Sequence, residues 1–138
     1  MNAVVDTNVV AYFLLGTQEF VEEARGFWRA VKNPSAPAVW EAEIANVVWM
    51  AVRSGILPNA EASNRLRLAG RLGIHSVSSK SLWQGALQRA MDSGVAVRDT
   101  LFVELAIRQK VPLATFDAQV ISKFPQVAMR PGQLLKHK

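Results

Sequence analysis

Three carboxylates in this chain, Asp6, Asp99 and Asp117, stand where a folded chain changes from one element to the next. Asp6 follows the short apolar run Asn2-Ala3-Val4-Val5, and Asp117 follows Val111-Pro112-Leu113-Ala114-Thr115-Phe116. Asp99 opens a segment carrying Leu101, Phe102, Leu105 and Ala106 at helical spacing. Taken singly, Asp6 and Asp117 serve as helix caps after strands, and Asp99 complements a helix dipole. Taken together at one edge of a sheet, they can bind a cation. Two carboxylates about 4 Å apart repel by roughly 4 kcal/mol at an effective dielectric near 20, and a bound divalent ion resolves that cost. With no cysteine and no second histidine at ligand spacing, the ligands are all oxygen, which favours Mg²⁺ or Mn²⁺, one or two ions, over zinc.

The acids meet only if the elements between them bring strand ends to one side. A short, wholly apolar stretch suits a strand buried on both faces, as in a parallel sheet, so strands are expected to end at Asp6 and at Thr115 to Asp117. Val9 to Leu15 reads as a short helix capped by Thr7 or Asn8 and closed by Gly16. From Thr17 to about Val31 the residues Phe20, Ala24, Phe27, Trp28 and Val31 lie on one helical face, with Glu22, Glu23, Arg25 and Arg29 on the other.

Lys32-Asn33-Pro34-Ser35 has turn composition, Ala36 to Val39 is a short extended piece, and a helix is expected from about Trp40 to Arg53, ended by Gly55. Glu43 borders the apolar stripe of that helix with no obvious Lys or Arg opposite, and a carboxylate beside a core face wants a partner. Further helices are expected from about Asn59 to Leu72, from Ser79 or Ser81 to Asp92, from Asp99 to Lys110 and from Ala118 to Phe124. Ile74 to Val77 reads as a strand, Gln126 to Met129 as an edge strand, and Arg130 to Lys138 as a basic tail. Strands alternating with helices predict an α/β fold with right-handed crossovers and a parallel sheet covered on both faces.

The motifs Asp6-Thr7-Asn8, Glu43-Ile44-Ala45-Asn46-Val47, Arg98-Asp99-Thr100-Leu101-Phe102 and Ala114-Thr115-Phe116-Asp117, in that order and covering nearly the whole chain, resemble the PIN domain. The resemblance is closest to the VapC-like ribonuclease toxins of prokaryotic toxin–antitoxin pairs. It implies a three-layer α/β/α fold with a central, mainly parallel sheet, and a metal-dependent endoribonuclease. In it Asp6, Glu43, Asp99 and Asp117 are both the catalytic residues and the ligands of Mg²⁺ or Mn²⁺. It also implies an RNA substrate, a small antitoxin protein as partner and a homodimer. Asn8, Asn46 and Thr115 match positions where the family carries small polar groups, which suits orienting the ligands or water. Arg98 departs from the family's pattern, which often has an aromatic residue there; it reads first as an ordinary surface arginine and alternatively as a clamp on a substrate phosphate. The alternatives are an inactive PIN-like module that binds RNA or protein, and an RNA-processing nuclease outside a toxin–antitoxin pair.

The charge balance fits either a soluble protein that happens to be basic or one with a polyanionic partner. Sixteen Lys and Arg against 11 Asp and Glu give +5 and a pI near 10.1, and if four of the acids share one site the remaining surface is markedly basic. Half the residues are hydrophobic, enough for a sizeable core, and 138 residues without a linker-like stretch predict one domain spanning 1–138. Cysteine chemistry is excluded outright. Neither a phosphate-binding glycine loop nor a dinucleotide fingerprint is present, and His75 and His137 have no serine motif or second histidine to work with. Arg65, Arg67 and Arg71 read as a solvated helix face that can also track phosphates, and Trp28, Trp40, Trp49 and Trp83 as packing residues or a groove for a partner segment. The N-terminus lacks a basic region before its apolar run, and no stretch approaches the ~20 apolar residues of a membrane span. A cytoplasmic protein with no membrane association is therefore expected.

Overall fold

Strand β1 is Asn2–Val5, and its last three residues are buried, as an apolar run with neighbours on both sides and helices on both faces requires. The computed structural model describes residues 1–136; His137 and Lys138 lie outside the described residues. β2 (Asn33–Pro37), β3 (His75–Val77), β4 (Leu113–Ala114) and β5 (Ala128–Met129) complete a five-stranded sheet in the order β3-β2-β1-β4-β5, and every pairing is parallel. β1 is the middle strand, hydrogen-bonded to β4 through Val4 N–H to Pro112 O (3.0 Å) and Asp6 N–H to Ala114 O (2.9 Å).

The helices lie between the strands. Helices α1 (Thr7–Leu15) and α2 (Val21–Ala30) join β1 to β2, and α3 (Val39–Arg53) and α4 (Ala62–Gly70) join β2 to β3. The chain then returns across the sheet through α5 (Trp83–Ser93) and α6 (Val97–Gln109) to β4, and α7 (Ala118–Lys123) leads to β5. Right-handed crossovers put α1 to α4 on one face and α5 to α7 on the other, giving the three-layer α/β/α arrangement. α8 (Pro131–Lys136) packs back on α2. The direction of winding therefore reverses between β1 and β4. The carboxyl ends of two such strands are where ligands bind in open α/β sheets, and both of these ends carry acids.

Several local readings of the sequence give way to tertiary pairing. The expected turn at 32–35 is largely strand β2, whose Pro34, Ser35, Ala36 and Pro37 are all buried. Pro34 and Pro37 lie beside and at the strand ends, where a missing ladder donor costs least. The helix expected from Thr17 begins at Val21, after a turn in which Thr17 O accepts from Phe20 and Val21 N–H. Helix α6 begins at Val97 rather than Asp99, so Asp99 is its third residue. The described part of the basic tail is a tied-down helix: Arg130 forks onto Glu23 (Nη2 to Oε1 2.6 Å, Nε to Oε2 3.2 Å), and Gly132 N–H donates to Glu23 Oε2 at 2.9 Å. Glu23 lies more than a hundred residues upstream, so no local pattern shows this.

Helix α6 is the most deeply set, with Thr100 to Ala106 buried in succession. That run includes Glu104, 7% exposed, which accepts from Arg89 Nε (2.7 Å) and Arg108 Nε (2.6 Å). α5 approaches this ion triad at Gly85, where a Cβ would strike the Glu104 carboxylate. Gly85→Ala gains about 1 kcal/mol of intrinsic helix preference but must displace a carboxylate pinned by two arginines. The variant is expected to be less stable by about 1–3 kcal/mol in urea denaturation; a variant as stable as the parent would show that the triad yields freely.

Candidate active site

Asp6 ends β1 with extended backbone and occupies the position before the first turn of α1, yet its side chain does not cap that helix. Its Oδ2 instead accepts from Thr115 Oγ1 at 2.7 Å, with Asn8 Nδ2 at 3.5 Å. Thr115 is fully buried, and its hydroxyl oxygen also accepts from Asp117 N–H at 3.0 Å. Asn8 Oδ1 accepts from Phe116 N–H at 3.2 Å, and Asn8 Nδ2 lies 3.4 Å from Thr115 Oγ1. The network clasps the end of β1 to the segment leaving β4. Both strand ends are thereby fixed at the point where the winding reverses.

Glu43 reaches the same place from α3. Its Oε1 accepts from Thr7 Oγ1 at 2.7 Å, and Arg98 Nε lies 3.6 Å from its Oε2. The partner that the sequence left unidentified for Glu43 is thus a threonine beside Asp6 and an arginine beside Asp99. Asp117 Oδ1 accepts from Gln119 and Val120 N–H at 2.9 and 3.3 Å, so it caps α7 as a helix-capping reading expects. Asp99 stands in the first turn of α6, where the helix dipole favours its charge. A cleft of about 410 Å³ opens between α1, α3 and the start of α6, lined among others by Thr7, Asn8, Tyr12, Thr17, Glu43, Asn46, Arg98 and Asp99.

The carboxyls of Asp6, Glu43 and Asp99 are all raised, each in part by the charge of another acid. Burial pushes the Asp6 carboxyl up to about 7, the Thr115 hydrogen bond opposes this, and the charges of Asp99 and Glu43 add to the rise. Glu43 is raised by burial, against the Thr7 hydrogen bond and Arg98, and by Asp99. Asp99 is raised by burial and by Asp117, with Arg98 opposing. Among the described residues no Lys or Arg forms an ion pair with Asp6.

Oxygen donors of like charge, one of them buried, suit a hard divalent cation. Asp6 and Asp117 are each anchored through one oxygen, leaving the other without a side-chain donor, and Glu43 is anchored through Oε1. Among the described residues no group of three or more such side chains already stands in metal-ligating geometry. The donor chemistry suits such an ion, but the acids as they stand do not form a ligating cluster.

Thr7, Tyr12 and Thr17 are cleft residues that the sequence reading did not single out for chemistry. Tyr12 follows Asn8 by four residues on α1, a spacing that puts both on one helical face and would have found it. Thr7 gave no such signal, because its contact lies 36 positions downstream. Arg65 donates to Leu14 O at 2.6 Å and so ties α4 to α1, whereas Arg67 donates to Asn64 Oδ1 at 2.9 Å on the exposed face of α4 itself. Trp40 is buried with Nε1 donating to Ser76 Oγ, whereas Trp49 and Trp83 are half exposed.

The PIN domain family model matches residues 3–127. A relative from Pyrobaculum aerophilum, named Ribonuclease VapC3, is 30% identical over 129 residues, which cover 91% of this chain and 96% of the relative.

The Asp6 environment makes a pH prediction. The folded state keeps a proton on Asp6 up to about pH 7, while the unfolded chain releases it near 3.8. The folded form thus binds more protons between those values, and its stability falls as pH rises through that window, by an amount on the order of a few kcal/mol. Glu23 and Glu104 act in the opposite sense: burial resists their ionisation, but their arginine partners outweigh it and hold both carboxyls below the usual range. The Asp6 contribution is therefore read as the difference between the parent and Asp6→Asn, by urea denaturation in EDTA from pH 4 to 7. Parallel profiles would overturn it.

Proposed function

The chain belongs to the PIN domain family, and from that premise we propose that it is a Mg²⁺- or Mn²⁺-dependent endoribonuclease that hydrolyses RNA phosphodiester bonds, working as one PIN-like domain over residues 1–138. The observation that carries this reading is Asp6, a buried carboxylate at the switch point of a parallel sheet, with acids around it and no ion-paired Lys or Arg among the described residues. The name of the Pyrobaculum relative supports RNA as the substrate, and so does the +5 charge of the chain.

Asp6, Glu43, Asp99 and Asp117 hold the metal, one ion or two. A divalent cation there supplies charge neutralisation at the phosphodiester and a lowered pKa for the attacking water. Thr115 and Asn8 fix the rotamer of Asp6, and Thr7 fixes that of Glu43, so the ligands are oriented before the ion arrives. Asn46, three residues after Glu43 on α3, lines the cleft as a neutral donor for water or phosphate. The reaction is hydrolysis: an oxygen of water bonds to phosphorus and one ribose oxygen leaves.

The resemblance to VapC-like proteins supports a toxin of a VapBC-type pair with a small antitoxin as partner, a homodimer and a cytoplasmic location; an RNA-processing nuclease outside such a pair is the runner-up. Among the described residues no helix is long and apolar enough to cross a membrane. Half-exposed Trp49 and Trp83, with Leu87 and Met91 near Trp83 on α5, offer a partner polypeptide apolar surface.

The purified protein is expected to cleave single-stranded RNA with Mg²⁺ or Mn²⁺ and to stop when EDTA is added. Asp6→Asn and Asp99→Asn should each lose more than about 100-fold in kcat/KM, beyond the ~10–100-fold typical of residues that only orient a ligand, with circular dichroism unchanged. Full activity in both variants would remove these residues from the site. Salt-dependent RNA binding that survives EDTA, with no products under either metal, would instead establish a binding module without catalysis.

A further inference from the structure

Among the described residues lining the acid cleft, Arg98 is the one cation. Its contact with Glu43 differs from the arginine pairs that hold the fold together. Arg89 and Arg108 on Glu104, and Arg130 on Glu23, make hydrogen bonds of 2.6–3.2 Å. Arg98 Nε stands 3.6 Å from Glu43 Oε2, beyond hydrogen-bond length, and its side chain is 70% exposed. The pair joins α6 to α3 across the mouth of the cleft, so it is not a same-helix accident of spacing. Glu43 is already anchored by Thr7 through Oε1, so losing Arg98 does not leave its carboxylate without a partner. Arg98 is thus held by charge and free to turn. Beside it, Asp99 also feels its charge.

We propose that Arg98 is the resident counter-ion of the acid cleft, and that when Glu43 turns to a divalent cation the guanidinium is released to grip a phosphate of the RNA. The inference rests on the nuclease reading of this cleft. Its physical basis is competition: a fixed positive charge beside the acids opposes a second one, and the planar donor fork of arginine suits a phosphate once its carboxylate is taken. Arg98 would then weaken metal binding in the absence of RNA and strengthen RNA binding in the presence of metal.

The test uses the full chain with Mn²⁺ and a short single-stranded RNA, comparing the parent, Arg98→Gln and Arg98→Lys. Calorimetric titration of the RNA-free protein should show Arg98→Gln binding Mn²⁺ about threefold or more tightly than the parent, the modest size reflecting an exposed charge. In steady-state cleavage the same variant should show KM raised about tenfold, the loss of one charge-assisted phosphate contact, and raised by more than kcat falls. Arg98→Lys keeps the charge without the fork, so its Mn²⁺ affinity should match the parent while its KM lies between the other two. An ordinary surface arginine would move neither quantity. Either change without the other also overturns the exchange. A parent protein that neither binds Mn²⁺ nor cleaves RNA brings down the nuclease reading itself, whereas a parent that does both beside an unaltered Arg98→Gln brings down this inference alone.

Discussion

The site depends on the parallel pairing of β1 with β4. Asp6 N–H donates to Ala114 O in that pairing, and one residue further on Thr115 turns its hydroxyl to Asp6 Oδ2. Backbone and side chain thus register the two strand ends together. A slip of one residue would reverse the faces of β4 and carry Thr115 away from the carboxylate. Because β1 is central and the chain winds to opposite faces on leaving β1 and β4, helices cover both sides and the crevice opens only at the strand ends. Asp6 is buried in consequence of that topology, and its raised pKa follows from the burial.

The chain handles buried acids in two ways. Glu104 is met by two arginines, each through Nε, and Glu23 by the Arg130 fork with Gly132 N–H added, and their carboxyls are held below the ordinary range against the pull of burial. These acids fasten α6 to α5 and α8 to α2. Asp6, Glu43 and Asp99 are raised instead, and their neighbours are neutral hydroxyls, each other and a single loosely held arginine. Arginine is plentiful in this sequence, so balancing these charges was chemically within reach. Leaving them unbalanced is a standing cost to stability, and such costs gather where a ligand offsets them.

Much of this was legible in the sequence where the signal is local. The apolar runs before Asp6 and Asp117 gave two of the three inner strands, β1 and β4, and helical spacing gave the helix carrying Glu43 and the one following Asp99. Strand β2 was misread because Asn33-Pro34-Ser35 has turn chemistry, and only pairing on both sides makes it extended. The start of α6 was read two residues late because Asp99 looks like a cap, whereas Ala96 precedes the helix with no side-chain bond to signal it. Glu43 reached the candidate site through family resemblance; its actual neighbours, Thr7 and Arg98, lie 36 residues before it and 55 after it, and no periodicity relates such positions.

The anchoring pattern also makes capping at Asp117 compatible with the ligand role proposed for it. Its Oδ1 is spent on two N–H groups at the start of α7, a six-residue helix that has little stability of its own. A cap that holds one oxygen fixes the plane of the carboxylate and thereby directs the other oxygen. Asp6, held through Oδ2, and Glu43, held through Oε1, follow the same plan. A carboxylate gripped in this way loses little further rotamer entropy when its second oxygen is engaged, so orienting it beforehand lowers the cost of binding. Asp99 has no such hydrogen-bond anchor among the described residues, and its carboxylate keeps the rotamer freedom that the other three give up.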